Sequence, residues 1–204
     1  MKIILIVEGK TEKAFVSHLR GYLQEKLPNK MARLETHPYH GLIPMGPELQ
    51  RIVRLYLHDT RHSPADHVIA LTDVYTGTRP PRFQDAMDAK GKMREWVGDE
   101  PRFHPHAAQH DFEAWLIPYW RTIQQLADHK MTGPACPPEQ VNHDQPPAHR
   151  IEKIFQAGGR AYVKPRDAGR ILRDNDLSVA IAQCPELKAF VNTILFVCGG
   201  ALIP

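Results

Sequence analysis

MKIILIVEGKTE, residues 1–12, sets the architecture of this chain of 204 residues. The apolar run of residues 3–7 is typical of a buried strand, and the apolar spacing from residue 15 onward is typical of a helix. Glu8 therefore follows the carboxyl end of a strand, where open α/β sheets place their ligands, and Glu12 lies in the first turn of the helix. The pattern predicts two acids at one crevice.

Gly9-Lys10-Thr11 follows the strand as it would in a phosphate-binding loop. The Walker pattern also needs a glycine five residues before Gly9, where this chain has Ile4. Glu8 would repel a triphosphate unless a cation lay between them. The turn therefore favours a cation-mediated phosphate site over direct phosphate capture.

Strand and helix patterns alternate over the first half of the chain. Apolar runs predict strands over residues 33–39, 67–73 and 102–107, and amphipathic spacing predicts helices over residues 47–57 and 83–97. Gly91 is expected to break or weaken the second helix. Pro105 is expected to place its strand at a sheet edge, because proline donates no ladder hydrogen bond. The alternation predicts an α/β fold with a mostly parallel sheet and helices on both faces.

The second half of the chain shows only helices and loops. Five prolines make residues 131–147 a connector that cannot be helical throughout. Helices are expected after it, including ones over residues 165–173 and 185–197, and we expect them to cap the sheet. The predicted organisation is a core of residues 1–110 and a C-terminal helical cap of residues 111–204, packed together as one globular unit.

Composition is that of an ordinary globular protein. Hydrophobic residues make up 42% and charged residues 24%, and the net charge of +3 does not by itself indicate a nucleic-acid partner. No apolar stretch reaches the roughly 20 residues of a membrane span, and the N-terminus lacks a signal-peptide cleavage site, so we expect a cytoplasmic protein. Three cysteines without a C-x-x-C pair argue against a disulfide framework and a Cys-rich zinc site.

Acids from three separate segments lie beside the predicted sheet edge. They are Glu8 with Glu12, Asp73 in LTDVYTG and Glu113 in QHDFEAWL. Carboxylate oxygens are hard ligands suited to Mg²⁺ or Mn²⁺. Two such ions about 3.5–4 Å apart activate the attacking oxygen and neutralise the leaving oxygen of a phosphodiester. The set predicts a metal-dependent phosphodiester site.

The same motifs resemble a known domain. The Glu and Gly of VEGKTE and the aspartate that ends a later strand in LTDVYTG resemble the Toprim domain of topoisomerases, primases and overcoming-lysogenization-defect (OLD) nucleases. The segments HDFEAWL, PEQVNHDQPPAHRI, YVKPRDAGRI and CPELKAFV add a closer resemblance to an uncharacterised Toprim-like family, often encoded beside ATPases in bacterial genomes and phage-defence islands. The resemblance spans nearly the whole chain and implies a Toprim-like fold.

The resemblance implies roles for individual residues. Glu8 matches the principal acid, Asp73 matches the first aspartate of the D-x-D pair, and Glu12 matches a second acid found in the nuclease branch. The second D-x-D aspartate is replaced by Tyr75. Because a phenol is a poor Mg²⁺ ligand, this departure leaves two-metal catalysis open.

Two further assignments are our own inference. Glu113, or Asp111, supplies the missing carboxylate if the first residues of its helix face the same crevice. Lys164 then contacts a phosphate or stabilises charge in the transition state.

Each acid also has a structural explanation. The helix dipole favours Glu12 in a first turn without any ligand, and Asp73 can cap the turn that follows it. Apolar residues at helical spacing surround Glu113, so it can be an acid beside a buried helix face. Glu8 differs, because a carboxylate directly after five apolar residues is costly without a partner.

Two other motifs suggest different chemistry. His104, His106 and His110 alternate as zinc ligands on one strand face would, but no Cys or H-E-x-x-H pattern accompanies them. TDVYTGT resembles the nucleophile motif of haloacid-dehalogenase-like phosphatases, yet Tyr75 breaks its aspartate pair and that family places the motif on its first strand.

Two sets of basic residues fit either a nucleic-acid backbone or a solvated surface. One is a stripe on the helix predicted over residues 165–173, formed by Arg166, Arg170 and Arg173. The other lies in and just after the connector and is formed by His143, His149 and Arg150.

The favoured function is a metal-dependent nuclease or phosphodiester-transfer module that acts on DNA or RNA, in phage defence and with an ATPase encoded nearby as partner. The alternative is a catalytically inactive binding or regulatory subunit of an ATPase complex that keeps the Toprim fold. Tyr75 keeps this alternative open.

Overall fold

A four-stranded parallel sheet forms the centre of the structure, a computed structural model that describes residues 1–28, 31–58, 63–78, 80–140 and 145–204. The strands lie in the order β2-β1-β3-β4. Their bounds are β1 (Lys2–Val7), β2 (Arg33–Pro38), β3 (His67–Asp73) and β4 (Phe103–Ala108). The predicted α/β class and parallel sheet are confirmed, and β4, which contains Pro105, lies at an edge of this sheet as expected.

Helices and loops make up the rest of the described chain. The α-helices are α1 (Lys10–Lys26), α2 (Pro47–His58), α3 (Ala86–Val97), α4 (Trp120–Ala127), α5 (Pro147–Ala157), α6 (Lys164–Arg173), α7 (Leu177–Gln183) and α8 (Pro185–Val197). Two 3-10 helices span Phe112–Tyr119 and Pro138–Gln140. The segment after residue 110 therefore holds more helices than the sequence predicted.

Helix α3 departs from its prediction. It begins at Ala86, three residues later than expected, because the side chain of Asp85 caps it by accepting a hydrogen bond from the N–H of Asp88 at 2.8 Å. It also continues through Gly91 without a break. A glycine inside a helix costs about 1 kcal/mol relative to alanine, and the burial of Met93 against the sheet offsets that cost.

The two faces of β1 pack against different helices, because successive side chains of a strand point in opposite directions. Ile4 and Ile6 join the hydrophobic cluster of α2 and α3. Leu5 joins a larger cluster that contains α1 and residues of α4 to α8. The C-terminal helices thus lie on the α1 side of the sheet, as the cap prediction requires, while the domain boundary at residue 110 stays a prediction.

Within the described ranges, no single helix is long and apolar enough to cross a membrane. Helices α7 and α8 satisfy that test of length and composition only as a pair, and they are bent by 117° to each other.

Candidate functional site

A cleft of about 230 Å³ opens at the carboxyl end of the sheet. We call it the acidic cleft, and its lining residues are Glu8, Gly9, Thr11, Glu12, Gly41, Asp73, Phe112, Glu113 and Lys164. The structure therefore brings together the four acids Glu8, Glu12, Asp73 and Glu113 with Lys164, as the acidic site proposed from the sequence requires. Three separate chain segments supply its acids, as the sequence predicted.

Glu8 is held by the neighbouring strand β3. Its Oε1 accepts hydrogen bonds from the hydroxyl of Thr72 at 2.5 Å and from the backbone N–H of Asp73 at 3.1 Å. Burial raises the pKa of Glu8 to about 7, although both hydrogen bonds lower it, and the charge of Glu12 adds to the rise. Sequence reasoning missed Thr72, whose only signal was its position directly before the strand-end acid.

Glu12 has a structural contact as well as a place in the cleft. Its Oε2 accepts a hydrogen bond from the backbone N–H of Gly9 at 3.0 Å, which satisfies a donor at the start of α1. The side chain is buried, and burial followed by the charge of Glu113 raises its pKa. The helix-capping explanation therefore applies, and the carboxylate still lines the cleft.

Asp73 connects β3 to the 3-10 helix that follows β4. Its Oδ1 accepts a hydrogen bond from the backbone N–H of Phe112 at 2.9 Å, so this carboxylate reaches a distant segment. Burial, and after it the charge of Glu8, hold the pKa of Asp73 well above its usual range.

Glu113 faces the one lysine that lines the acidic cleft. Its side chain is 1% exposed, and its carboxylate lies 3.3 Å from Nζ of Lys164 and 3.5 Å from the hydroxyl of Tyr162. Burial lowers the pKa of Lys164, but the charges of Glu113 and nearby acids outweigh burial and raise it. Burial and the charge of Glu113 raise the pKa of Tyr162. Sequence reasoning assigned no role to Tyr162, whose only signal was its place at the start of the segment YVKPRDAGRI.

Asp111 lies behind the acidic cleft. Its Oδ2 accepts a hydrogen bond from the N–H of Ala148 in the first turn of α5 at 3.1 Å, while its buried Oδ1 has no hydrogen-bond partner. Burial and the charge of Glu113 raise the pKa of Asp111 to about 8. This acid does not line the cleft, so of the two carboxylates proposed to replace the missing aspartate, Glu113 has the better position.

The donor set fits a hard divalent cation. Glu8, Glu12, Asp73 and Glu113 offer only carboxylate oxygens, and Lys164 is the single basic residue among those that line the cleft. Burial, and after it the charge of neighbouring carboxylates, raises the pKa of Glu8, Glu12 and Asp73. Among the described residues, no group of three or more His, Cys, Asp or Glu side chains already has a metal-binding arrangement.

Tyr75 does not line the acidic cleft. Its backbone N–H donates to the carbonyl of His110 at 2.6 Å, and its ring centroid lies 6.2 Å from that of His149 in α5. The residue that stands at the second D-x-D position is thus directed toward α5.

The three histidines proposed as zinc ligands have separate contacts. His104 lies 3.1 Å from His67 of β3, and His106 lies 3.0 Å from the hydroxyl of Thr193 in α8. Among the described residues, these two imidazoles and His110 do not form one group that could hold a metal ion.

The predicted basic stripe is partly neutralised. Arg166 donates to both carboxylate oxygens of Asp167 at 2.9 and 2.8 Å, and Arg170 lies 3.6 Å from the same buried acid. Arg173 lines a different pocket, beside His18. The connector residue His143 lies outside the described residues.

Comparisons with known proteins identify the fold and the family. No curated protein matches this chain. A solved structure, the C-terminal region of the Burkholderia pseudomallei OLD protein, is similar with a TM-score of 0.53 and 14% identity, over 96% of this chain and 98% of that one. The likeness is one of fold. Residues 7–195 match the family described as "Domain of unknown function (DUF4276)", and the chain belongs to that family.

Proposed function

We propose that the chain is a metal-dependent nuclease or phosphodiester-transfer module that acts on nucleic acid. The observation that carries this proposal is the convergence of Glu8, Asp73 and Glu113, from three separate segments, on one cleft. The fold shared with the C-terminal region of an OLD protein supports it, because the sequence motifs resemble the Toprim domain of that nuclease class.

In this proposal Glu8, Asp73 and Glu113 hold Mg²⁺ or Mn²⁺, with Glu12 beside them. A bound divalent cation supplies Lewis acidity, which neutralises phosphate charge and favours ionisation of the attacking water or hydroxyl. The protein contributes orientation. Thr72 and the backbone of β3 fix Glu8, and the N–H of Phe112 fixes Asp73.

Lys164 supplies the positive charge that the reacting phosphate needs from the protein. It stands at the first position of α6, its side chain is 47% exposed, and Glu113 holds its ammonium at 3.3 Å. This ammonium can therefore reach a phosphate oxygen from the cleft wall, and we assign it to charge stabilisation in the transition state.

The experiment compares cleavage of single-stranded and duplex DNA and RNA, with Mg²⁺, Mn²⁺ or EDTA, by the wild type, Glu8→Gln, Asp73→Asn and Glu95→Gln. Glu95 is an exposed acid of α3 outside the acidic cleft and provides the matched control. We expect metal-dependent cleavage by the wild type and Glu95→Gln, and loss of cleavage in the two folded cleft variants. Equal activity in all four proteins would reject this site.

A second candidate function is a binding or regulatory subunit of an ATPase complex. The position of Tyr75 favours it, since the D-x-D pair is incomplete and this residue does not line the acidic cleft. Metal binding that depends on Asp73, without cleavage of any nucleic acid, would support this role. An ATPase encoded nearby is the proposed partner in either case, with phage defence as the setting. Co-purification of the two proteins tests the partnership.

A further inference from the structure

A second groove lies between α1 and the edge strand β2. It encloses about 500 Å³, and its lining residues are Lys13, Val16, Ser17, Arg20, Arg33, Leu34, Glu35, Thr36 and His37. Four of these residues are basic or imidazole side chains, and one is acidic. We call it the basic groove.

Part of the positive charge of the basic groove is available to a ligand. Lys13 is exposed and makes no ion pair within the described part of the chain. The acid, Glu35, is contacted by two cations, since its carboxylate lies 2.7 Å from Nε of Arg33 and 3.5 Å from Nζ of Lys2. Arg20 donates to the backbone carbonyl of Leu34 and so ties α1 to β2. One carboxylate therefore does not cancel the basic wall.

Neighbouring residues of the chain line the basic groove and the acidic cleft. Pro38, the last residue of β2, is paired with Val7, one residue before Glu8. The chain then crosses toward the cleft, where the N–H of Gly41 donates to the carbonyl of Glu8 at 3.1 Å and Gly41 itself lines the cleft. On the other wall, Lys13 directly follows the cleft residue Glu12.

We propose that the basic groove holds the phosphodiester backbone of one nucleic-acid strand, whose reacting phosphate enters the acidic cleft. This inference rests on the proposed function. From Lys13 to Arg20 the helix rises about 10 Å, which is the length of about three stacked nucleotides at 3.4 Å each. Among the described residues, no Phe, Tyr or Trp lines the basic groove, so the contacts go to phosphates and the binding is independent of base sequence.

The test measures binding in EDTA, so that it does not depend on the metal site. Fluorescence anisotropy follows labelled single-stranded DNA and RNA of mixed sequence with the wild type, with Lys13→Gln/Arg33→Gln, and with the control Arg121→Gln/Lys153→Gln. Arg121 and Lys153 are exposed and lie outside both grooves. The control therefore removes the same charge from a different surface.

Each phosphate contact to a single strand contributes about 0.7 to the magnitude of the slope of log affinity against log salt concentration. One contact therefore makes the affinity at 0.1 M salt about fivefold higher relative to that at 1 M salt. We expect the Lys13/Arg33 variant to bind about 25-fold more weakly at about 0.1 M salt, with a slope smaller by about 1.4. The control binds within about twofold of the wild type, and unchanged thermal unfolding shows that both variants are folded.

Equal binding by the two double variants would overturn the basic groove, as would a wild type that binds neither nucleic acid in EDTA. Those results leave the proposed function to its own assay, since metal-dependent cleavage that is lost in Asp73→Asn would still establish the nuclease. Conversely, groove-dependent binding without cleavage would support the basic groove and reject the nuclease.

Discussion

The carboxylate of Glu8 accepts a hydrogen bond from the backbone N–H of Asp73 at 3.1 Å, so the acid that follows β1 is fixed to the acid that ends β3. The sheet register produces this contact, because Val7 pairs with Leu71 and Glu8 follows at the same edge. The contact therefore ties the two acids to each other through the sheet, and in the proposed function it orients them toward a shared cation.

The hydroxyl of Thr72 donates a hydrogen bond to Glu8 at 2.5 Å, and this bond lowers the pKa of Glu8. Replacement of Thr72 by valine removes the hydroxyl. A partner that orients a ligating carboxylate typically contributes 10–100-fold to metal affinity. We therefore expect Thr72→Val to bind Mn²⁺ about tenfold more weakly, measured by calorimetry. Thr122→Val, which removes a hydroxyl that bonds to Asn175, is the control, and unchanged Mn²⁺ affinity in Thr72→Val would contradict the role of Thr72.

Lys164 and the acids it faces should respond differently to mutation. Lys164→Met removes the only lysine among the described residues that line the acidic cleft, and it leaves all the carboxylates of the cleft in place. We expect Mn²⁺ affinity to be kept or increased, while turnover falls about 100-fold, as for loss of one transition-state donor. Calorimetry and single-turnover cleavage separate the two effects. A loss of Mn²⁺ binding equal to that of Asp73→Asn would show that Lys164 maintains the site and does not act on phosphate.

Local sequence patterns predicted the sheet and most of the acidic cleft. The apolar runs of β1 and β3 end in acids, and parallel strands bring their carboxyl ends to one edge, so the patterns predicted Glu8 and Asp73 at the same edge. The pairing of β1 with β3 in the structure makes the two acids neighbours. The positions of Glu113 and Lys164 depend on how the C-terminal helices pack. The sequence predicts that they lie close together only if the helix at Glu113 faces the crevice, and in the structure the two side chains are in contact.

Contacts between segments distant in sequence determine the features of the site that local sequence patterns did not predict. Tyr162 reaches Glu113 across 49 positions, and Thr72 reaches Glu8 across 64. The break expected at Gly91 is absent from α3, because the free-energy cost of one glycine in a helix is smaller than the stabilisation from burial of the helix face beside it. Local sequence propensity predicts neither these long-range hydrogen bonds nor the burial of a helix face.

Restoring the aspartate of the D-x-D pair should not strengthen metal binding. Tyr75 does not line the acidic cleft, and its ring lies against His149. We therefore expect Tyr75→Asp to match the wild type in Mn²⁺ affinity and to lose some stability through the missing ring contact. A gain in affinity or in cleavage rate would show that residue 75 reaches the metal in solution.

His106 makes the fold sensitive to acid. Burial lowers its pKa to about 3, with Lys90 and His104 adding to the effect, whereas an exposed histidine in the unfolded chain titrates near 6.5. Between these values the unfolded state binds a proton that the native state does not, so stability falls as pH falls below about 6.5, by about 1.4 kcal/mol per pH unit at most.

The test compares urea unfolding of the wild type and His106→Gln at about pH 7 and pH 5. Cleft acids with a raised pKa change stability in the opposite direction, but they do so in both proteins, so the difference isolates His106. We expect the wild type to lose about 2 kcal/mol more than the variant. Parallel losses in the two proteins would contradict the assignment.

Glu139 attaches the connector, residues 131–147, to the rest of the fold. Its buried carboxylate accepts hydrogen bonds from the indole N–H of Trp115 and from the N–H of Glu186, each at 3.0 Å, at the start of α8. In Glu139→Gln the NH₂ group of the amide replaces one carboxylate oxygen, so one of these two N–H groups loses its acceptor. We therefore expect Glu139→Gln to destabilise the protein by about 1–3 kcal/mol. Calorimetric unfolding beside the exposed control Glu25→Gln measures this loss. Equal stability of the two variants would mean that Glu139 does not hold the connector to α8.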